Sequence, residues 1–259
     1  MRIAILGATG VAGRAFCARA LSCGHELAIE RVDIFNRDAL ARFVAGSDAV
    51  VNLATSIPKP GGRGSWAEND RIRRDGTAAL IAACERAGTP LLVQQSVAML
   101  HCVADDRAQT EEDGIAGYGV LESAQEMEAL VLASALDARL VRGGLFYGPG
   151  SGREAQWQAD LRRTDFRIPG DGSAWMSPVH VADYADALLT VLERGGHRQA
   201  YIACDDAPVR VGDLYGRLAR QEGLPPPAAG GATTMRSFRV SNAKLRGLGW
   251  RATHAVLGD

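Results

Sequence analysis

Three glycines spaced every third residue, Gly7, Gly10 and Gly13, directly follow the apolar run Ile3-Ala4-Ile5-Leu6. A hydrophobic run of strand length that enters a Gly-rich turn and then an Ala-rich segment of helical period predicts strand, tight turn and helix. That order of elements suits a dinucleotide. Gly7 lets the chain turn sharply, and Gly10, with Thr9 and Val11 beside it, lets backbone N–H groups approach a pyrophosphate. Gly13 lets the helix lie close to the strand. The helix N-terminus adds partial positive charge where phosphates would sit. A lone glycine triplet also occurs in ordinary strand-to-helix turns. Its position at the start of the chain, and the alternating elements after it, favour the cradle.

At 259 residues, with 47% hydrophobic and 23% charged side chains, the chain can bury a core as one large domain or as a domain with a small appendage. A formal net charge of −1 gives no bulk attraction to nucleic acid or to a membrane surface. The first apolar run is short and meets a glycine turn, so no secretory signal is expected. No stretch reaches transmembrane length, and a cytoplasmic location follows as the expectation. The five cysteines, Cys17, Cys23, Cys84, Cys102 and Cys204, form no Cys-x-x-Cys pair. Reduced thiols and no metal site are expected from that scatter.

Gly24 should cap the first helix after Ser22-Cys23. The stretch from His25 to Asn36 is then too short for a second strand, a crossover helix and a third strand. Two registers remain. In one, Asp33 ends the second strand and its carboxylate holds the adenosine ribose hydroxyls. In the other, Asp33-Ile34 closes a third strand beside the adenine and the intervening helix is lost. The second fits better, because Asp38 to Phe43 reads as the capped helix that follows such a strand. Asp48 to Ala54 is a buried strand whose small end, Ala54-Thr55, suits close approach of a cofactor. Ser56 to Gly64 is a loop over that edge. Ala67 to Arg86 reads as a long helix ended by Gly88, with Arg71, Arg73 and Arg74 on its solvated face. Leu91 to Gln95 is the next strand, Tyr118 opens a helix running to Ala135, and Arg139 to Arg142 is the sixth strand. The alternation predicts an α/β fold, a Rossmann-type doubly wound parallel sheet.

Several further segments appear in one order: Asp75-Gly76-Thr77, Arg142 through Gly150, Gly170-Asp171-Gly172-Ser173, His180 through Ala185, and Lys244 through Trp250. Together with Gly7 to Gly13 and Asp48 to Ala54 they resemble the extended short-chain dehydrogenase/reductase family of nucleotide-sugar epimerases and dehydratases. The resemblance implies an NAD- or NADP-binding Rossmann domain over 1–145 and a small C-terminal lobe over 146–259 that covers a small-molecule substrate. Segments such as 175–203 should return to the sheet domain. A homodimer is compatible with it. For the 2′-phosphate of NADP, Arg14 and Arg31 are the available cations.

The family works through a Tyr-x-x-x-Lys helix and a nearby hydroxyl: tyrosine as general acid/base, lysine lowering its pKa, the hydroxyl orienting substrate. Tyr118 matches, but Glu122 stands where the lysine belongs, and a carboxylate one helical turn away should raise the phenol pKa. The hydroxyl position falls on Val97, or on Ser96 with a shift of one. The candidate catalytic set is therefore Tyr118, Ser96 and Glu122. The candidate cofactor set is Gly7, Thr9, Gly10, Val11, Gly13, Asp33, Ile34, Ala54 and Thr55. His180 with Asp183 reads as a helix N-terminal turn rather than a metal pair, and Trp175 and Tyr147 as pocket-lining or core. The expected activity is that of an NAD(P)-binding enzyme with atypical catalytic residues on a small organic or sugar-like substrate. A non-redox isomerase or cyclase, or a catalytically silent dinucleotide-binding protein, explains the same sequence.

Overall fold

Alternate side chains of the first strand, β1 (Arg2–Leu6), are buried on both faces: Ile3 and Ile5 on one, Ala4 and Leu6 on the other. A strand apolar on both faces must lie inside a parallel sheet covered by helices on each side. The computed structural model, which describes residues 1–58, 64–102, 106–233 and 236–256, shows that arrangement. Six parallel strands run β10-β5-β4-β3-β1-β2: β2 (Glu26–Ala28), β3 (Ala49–Asn52), β4 (Leu91–Val97), β5 (Asp137–Gly143) and β10 (Ala200–Ala203) flank β1. Helices α1 (Val11–Ser22) and α7 (Val181–Arg194) cover one face. Helices α2 (Arg37–Val44), α4 (Thr77–Ala87) and α5 (Glu122–Ala133) cover the other. The chain passes from β1 outward to β2 and returns across β1 to β3, so the strand order reverses between Leu6 and Asn52, which face each other. Ligands of such sheets bind at that crevice, beyond the carboxyl ends of the strands.

The third strand expected at Asp33-Ile34 does not form. Asp33 Oδ1 accepts the N–H of Phe35 (2.9 Å), Asn36 N–H turns back to the Asp33 carbonyl, and Asn36 Oδ1 caps α2 through Ala39 N–H at 3.0 Å. These bonds spend on a turn what a ladder would need. Ile34 is buried instead against Gly76, where an added Cβ would stand 3.1 Å from it. Arg139 to Arg142 accordingly lies in the fifth strand of the main sheet, not a sixth.

The long helix is also interrupted. Helix α3 (Trp66–Arg71) passes through a π-turn (Ile72–Gly76) into α4, which ends at left-handed Gly88. The turn swings Arg73 inward, so it is buried rather than solvated. Its guanidinium donates to the Val120 carbonyl (2.9 Å) and to Ser123 Oγ (3.2 Å). Arg71 lies over the Phe35 ring and Arg74 pairs with Glu126.

Beyond β5, three two-stranded sheets form: β6 (Leu145–Tyr147) with β9 (Pro178–His180), β7 (Ile168–Pro169) with β12 (Ala229–Gly231), and β8 (Trp175–Met176) with β11 (Val209–Arg210). They pack with α6 (Arg153–Leu161) and α8 (Val211–Gln221) around Trp157, Ile168, Leu214 and Phe238. Helix α7 and β10 rejoin the main sheet, β10 pairing with β5. No helix among the described residues is long and apolar enough to cross a membrane.

Asp183, on the first turn of α7, ties down the chain's end. Its buried carboxylate accepts from Thr253 N–H (3.0 Å), Thr253 Oγ1 (2.5 Å) and His254 N–H (2.9 Å). His180 Nδ1 caps the same helix through Ala182 N–H. Burial alone would push the Asp183 carboxyl up, but the bonds from Thr253 and His254 outweigh it and hold the group below its usual value. A depressed folded-state pKa gives stability that is complete above the unfolded value and is lost as pH falls through the folded one. Asp183→Asn should therefore lose about 2 kcal/mol near neutral pH, with the gap from wild type closing in acid. Urea unfolding followed from neutral to acid pH checks this.

Candidate active site

The glycine turn makes contacts that only a residue without a side chain permits. A Cβ on Gly7, whose φ is +78°, would lie 2.5 Å from the carbonyl carbon of Leu53, and one on Gly13 would lie 2.1 Å from the Gly7 oxygen. Both distances are far inside van der Waals contact. Gly10 differs: its Cβ would meet only the Gly7 oxygen, at 3.2 Å, with open space otherwise. Gly10 is also the N-cap of α1, offers no side-chain cap, and is followed by a first turn with no acidic residue. The N–H groups of that turn are thus free to take an anion. Val11 is half-buried at the helix start, and the Thr9 carbonyl accepts from Arg14 Nη1 at 2.6 Å, which lays that guanidinium along the loop.

Asn52, the last residue of β3, bonds to Gln94 in the middle of β4 (2.8 Å), and Asn52 Oδ1 takes Ala54 N–H at 3.2 Å. Ala54 is thereby held next to Gly7, and exposed Thr55 follows it. Ser56 N–H is bonded to buried Asn69 Oδ1 (2.9 Å). The loop read over Ser56 to Gly64 lies in part, at residues 59–63, outside the described residues. Asp33 is exposed in its turn and Ile34 buried behind it. The open Gly10, the uncapped helix start and the small Ala54 fit a dinucleotide pyrophosphate crossing the reversal point.

Tyr118 does not open α5. Its backbone is extended (φ −145°), Gly119 follows at φ +50°, and a 3-10 turn (Gly119–Leu121) precedes the helix. Tyr118 and Val97 pack against the same small cluster of Leu100, Leu121 and Ala124, which places the phenol near the carboxyl end of β4. Glu122 is the exposed first residue of α5. With Tyr118 outside the helix, the two are not one helical turn apart. The phenol pKa is raised, as the sequence leads one to expect, but through burial, and Glu122 is not among the causes. The Tyr118 hydroxyl accepts the N–H of Arg236 at 3.3 Å, and the Arg236 guanidinium lies 4.3 Å from the ring centroid.

Ser96 points away from Tyr118's cluster, into a buried charge network. Its Oγ donates to Glu128 Oε1 at 2.5 Å. Arg142, beside Ser96 on β5, grips both Glu128 oxygens at 2.7–3.2 Å. The remaining nitrogen of Arg142 donates to His101 Nε2 at 3.0 Å. Burial, with Arg142 adjacent, pushes His101 down to about 4, so it is neutral and accepts. Glu128, Arg142 and His101 were not selected from the sequence. Nothing in their spacing joins them, since Glu128 and His101 meet Arg142 only once α5 docks on the sheet. Tyr147 is core: its hydroxyl donates to Asp205, whose carboxyl burial pushes up to about 6. Trp175 is half-buried between the guanidinium groups of Arg210 and Arg239.

A model of the NAD dependent epimerase/dehydratase family matches residues 3–204. The chain belongs to that family. Among curated relatives, the 3-diazoavenalumate denitrifying reductase of a Streptomyces species is 27% identical over 100% of this chain and 98% of its own length. The dTDP-4-dehydrorhamnose reductase of Mycolicibacterium smegmatis is 31% identical over 75% of this chain and 61% of its own. Among solved structures, MoeE5 in complex with UDP-glucuronic acid and NAD superposes with a TM-score of 0.82 at 23% identity, covering 99% of this chain and 95% of that one. RMD from Pseudomonas aeruginosa complexed with NADPH gives 0.80 at 21%, covering 98% and 94%. The likeness to these structures is one of fold.

The Ser96 network predicts unequal costs for its members. Glu128→Ala strands a buried arginine and should cost about 3–5 kcal/mol, whereas Ser96→Ala removes one bond to a carboxylate that Arg142 still satisfies and should cost about 1 kcal/mol. Denaturant unfolding of the two variants measures the difference.

Proposed function

We propose that the protein is an NAD(P)H-dependent reductase of the epimerase/dehydratase family, acting on a small organic or sugar-like molecule through an atypical catalytic centre. The observation that carries the direction of the reaction is the Tyr118 phenol at the carboxyl end of β4, which has no lysine on the following helix and which burial raises further above its ordinary value. A protonated phenol can donate to a substrate as charge develops on it, as a reduction requires. An oxidation, or a dehydratase sequence that begins with one, needs a phenolate base, which the family obtains from the lysine that Glu122 replaces. The relatives matched over most of this chain bear the names of reductases.

In this reading the backbone N–H groups around Gly10 and Val11, with Gly7, Thr9 and Gly13 shaping the turn, bind the pyrophosphate of NAD or NADP. Ala54 and Thr55 leave room beneath the cofactor, and Asp33 and Ile34 border its adenosine end. The bound nicotinamide would supply a hydride. Tyr118 orients the acceptor and gives it a hydrogen bond or proton. Ser96, committed to Glu128, supports the sheet end rather than the substrate. An acceptor carrying a diazo group, as in the name of the full-length relative, that leaves as dinitrogen demands less of Tyr118 than a carbonyl, whose oxygen must be protonated. The lost lysine is then tolerable.

Glu122 in place of lysine also suits a second reading, a non-redox isomerase or cyclase or a silent dinucleotide-binding protein. Incubation with NADH or NADPH deuterated at the nicotinamide C4, against aldehydes, ketones and aryl diazo compounds, separates them. The reductase reading predicts deuterium in a product, and Tyr118→Phe slowing turnover by about 10²-fold or more on a carbonyl. Nucleotide binding without any transfer would favour the second reading.

A further inference from the structure

The charge missing from the helix is present elsewhere. Arg236 comes from the C-terminal lobe, and the segment that carries it is anchored immediately after it. Ser237 Oγ accepts Trp175 N–H (3.0 Å), Phe238 N–H bonds to the Trp175 carbonyl (2.9 Å), and Val240 N–H bonds to Ser177 Oγ (3.0 Å). Phe238 and Val240 are buried in the lobe's core. Placement of Arg236 over Tyr118 is therefore imposed by the fold of the lobe rather than by the arginine itself.

The two neighbouring arginines on this side are already engaged. Arg210 pairs with Asp106 at 2.8 Å, and Arg239 bonds to the Asp106 carbonyl while both flank Trp175. Arg236 makes no ion pair among the described residues. Its guanidinium stands 4.3 Å from the Tyr118 ring centroid, and its own N–H reaches the hydroxyl at 3.3 Å. A cation over a phenol face, together with a donor at its oxygen, stabilises the ring as its oxygen gains negative charge.

We propose that Arg236 is a positioning residue for Tyr118, a cation that the C-terminal lobe sets over the phenol ring and that favours release of the phenol's proton to a substrate. This rests on the reading of Tyr118 as the acid/base group. Burial pushes the phenol up, and the backbone bond and charge of Arg236 pull against it. The other groups facing Tyr118 are few: half-buried Cys102, which pushes the phenol further up, exposed Glu122 at the start of α5, and Arg73, which donates to the Val120 carbonyl and to Ser123. Neither Cys102 nor Glu122 is positive. Bringing the cation from the lobe also makes the acid/base group complete only when lobe and sheet domain are docked at residues 236–240.

The test needs no substrate. Fluorotyrosine incorporated throughout the chain gives each ring its own fluorine NMR signal and lowers the pKa into the range where the protein stays folded; Tyr118→Phe identifies the signal. Arg236→Gln should move the Tyr118 titration up by about half a unit to one unit, and Arg236→Lys should restore most of it. About 1 M salt should shift wild type in the same direction, because an exposed cation is screened. Circular dichroism checks the fold of both variants, and should Arg236→Gln not fold, the salt shift of wild type decides. An unchanged titration in Arg236→Gln, an equal shift in both variants, or no salt effect on wild type would overturn the inference. Nucleotide affinity measured on the same samples should be unchanged by either substitution. If wild type binds no nucleotide while the titration shifts, the reductase reading fails and the pairing of Arg236 with Tyr118 stands.

Discussion

The contact on which the rest of the structure depends is backbone against backbone at the strand-order reversal. Gly7 touches Leu53 and Gly13 touches Gly7, with no space for a side chain at either residue. That closeness draws α1 down onto β1 and brings the ends of β1 and β3 together. It also leaves the first N–H groups of α1 pointing past Gly10 into open space. The geometry that permits tight packing is thus the same geometry that presents donors to an anion, and a change at either buried glycine would disturb both.

A second set of interactions, all buried and charged, fixes the elements that carry Tyr118. Arg73, turned inward by the π-turn, holds the turn after Tyr118 through the Val120 carbonyl and holds α5 through Ser123. Glu128 and Arg142 lock the same helix onto β4 and β5. Buried ion pairs of this kind add little net stability, because desolvation offsets much of the attraction, but breaking one is costly. They therefore serve position more than stability here. The phenol is presented at the carboxyl end of β4 by a frame that tolerates little displacement.

The glycine turn, the strand alternation and the family resemblance were legible because each depends on local periodicity or on residues close in sequence. The helix boundaries at Gly24 and Gly88 were legible for the same reason. Asp33-Ile34 misled because a strand and an Asx turn use similar residues, and only the seat of Ile34 against Gly76 decides between them. Arg73 misled because a π-turn shifts the helical phase and no residue pattern announced one. By residue spacing Glu122 lies one turn from Tyr118, but left-handed Gly119 breaks the helix between them. Arg236, Glu128 and His101 could not be found from spacing, since their partners are distant in the chain and meet only after lobe and helices dock.

The most direct test of the account is a calorimetric titration of NADH and NADPH into wild type and Gly10→Val. At Gly10 the backbone is extended and an added Cβ meets only the Gly7 carbonyl oxygen, at 3.2 Å, so that oxygen must give by a few tenths of an ångström and the melting temperature of the variant is measured beside that of wild type. Its branched side chain would occupy the space in front of the helix N-terminus. The account predicts that at least one nucleotide binds wild type and that Gly10→Val weakens it at least about tenfold, the equivalent of about 1.4 kcal/mol. Equal affinity in a folded Gly10→Val protein would contradict the claim that this turn is the cofactor's cradle.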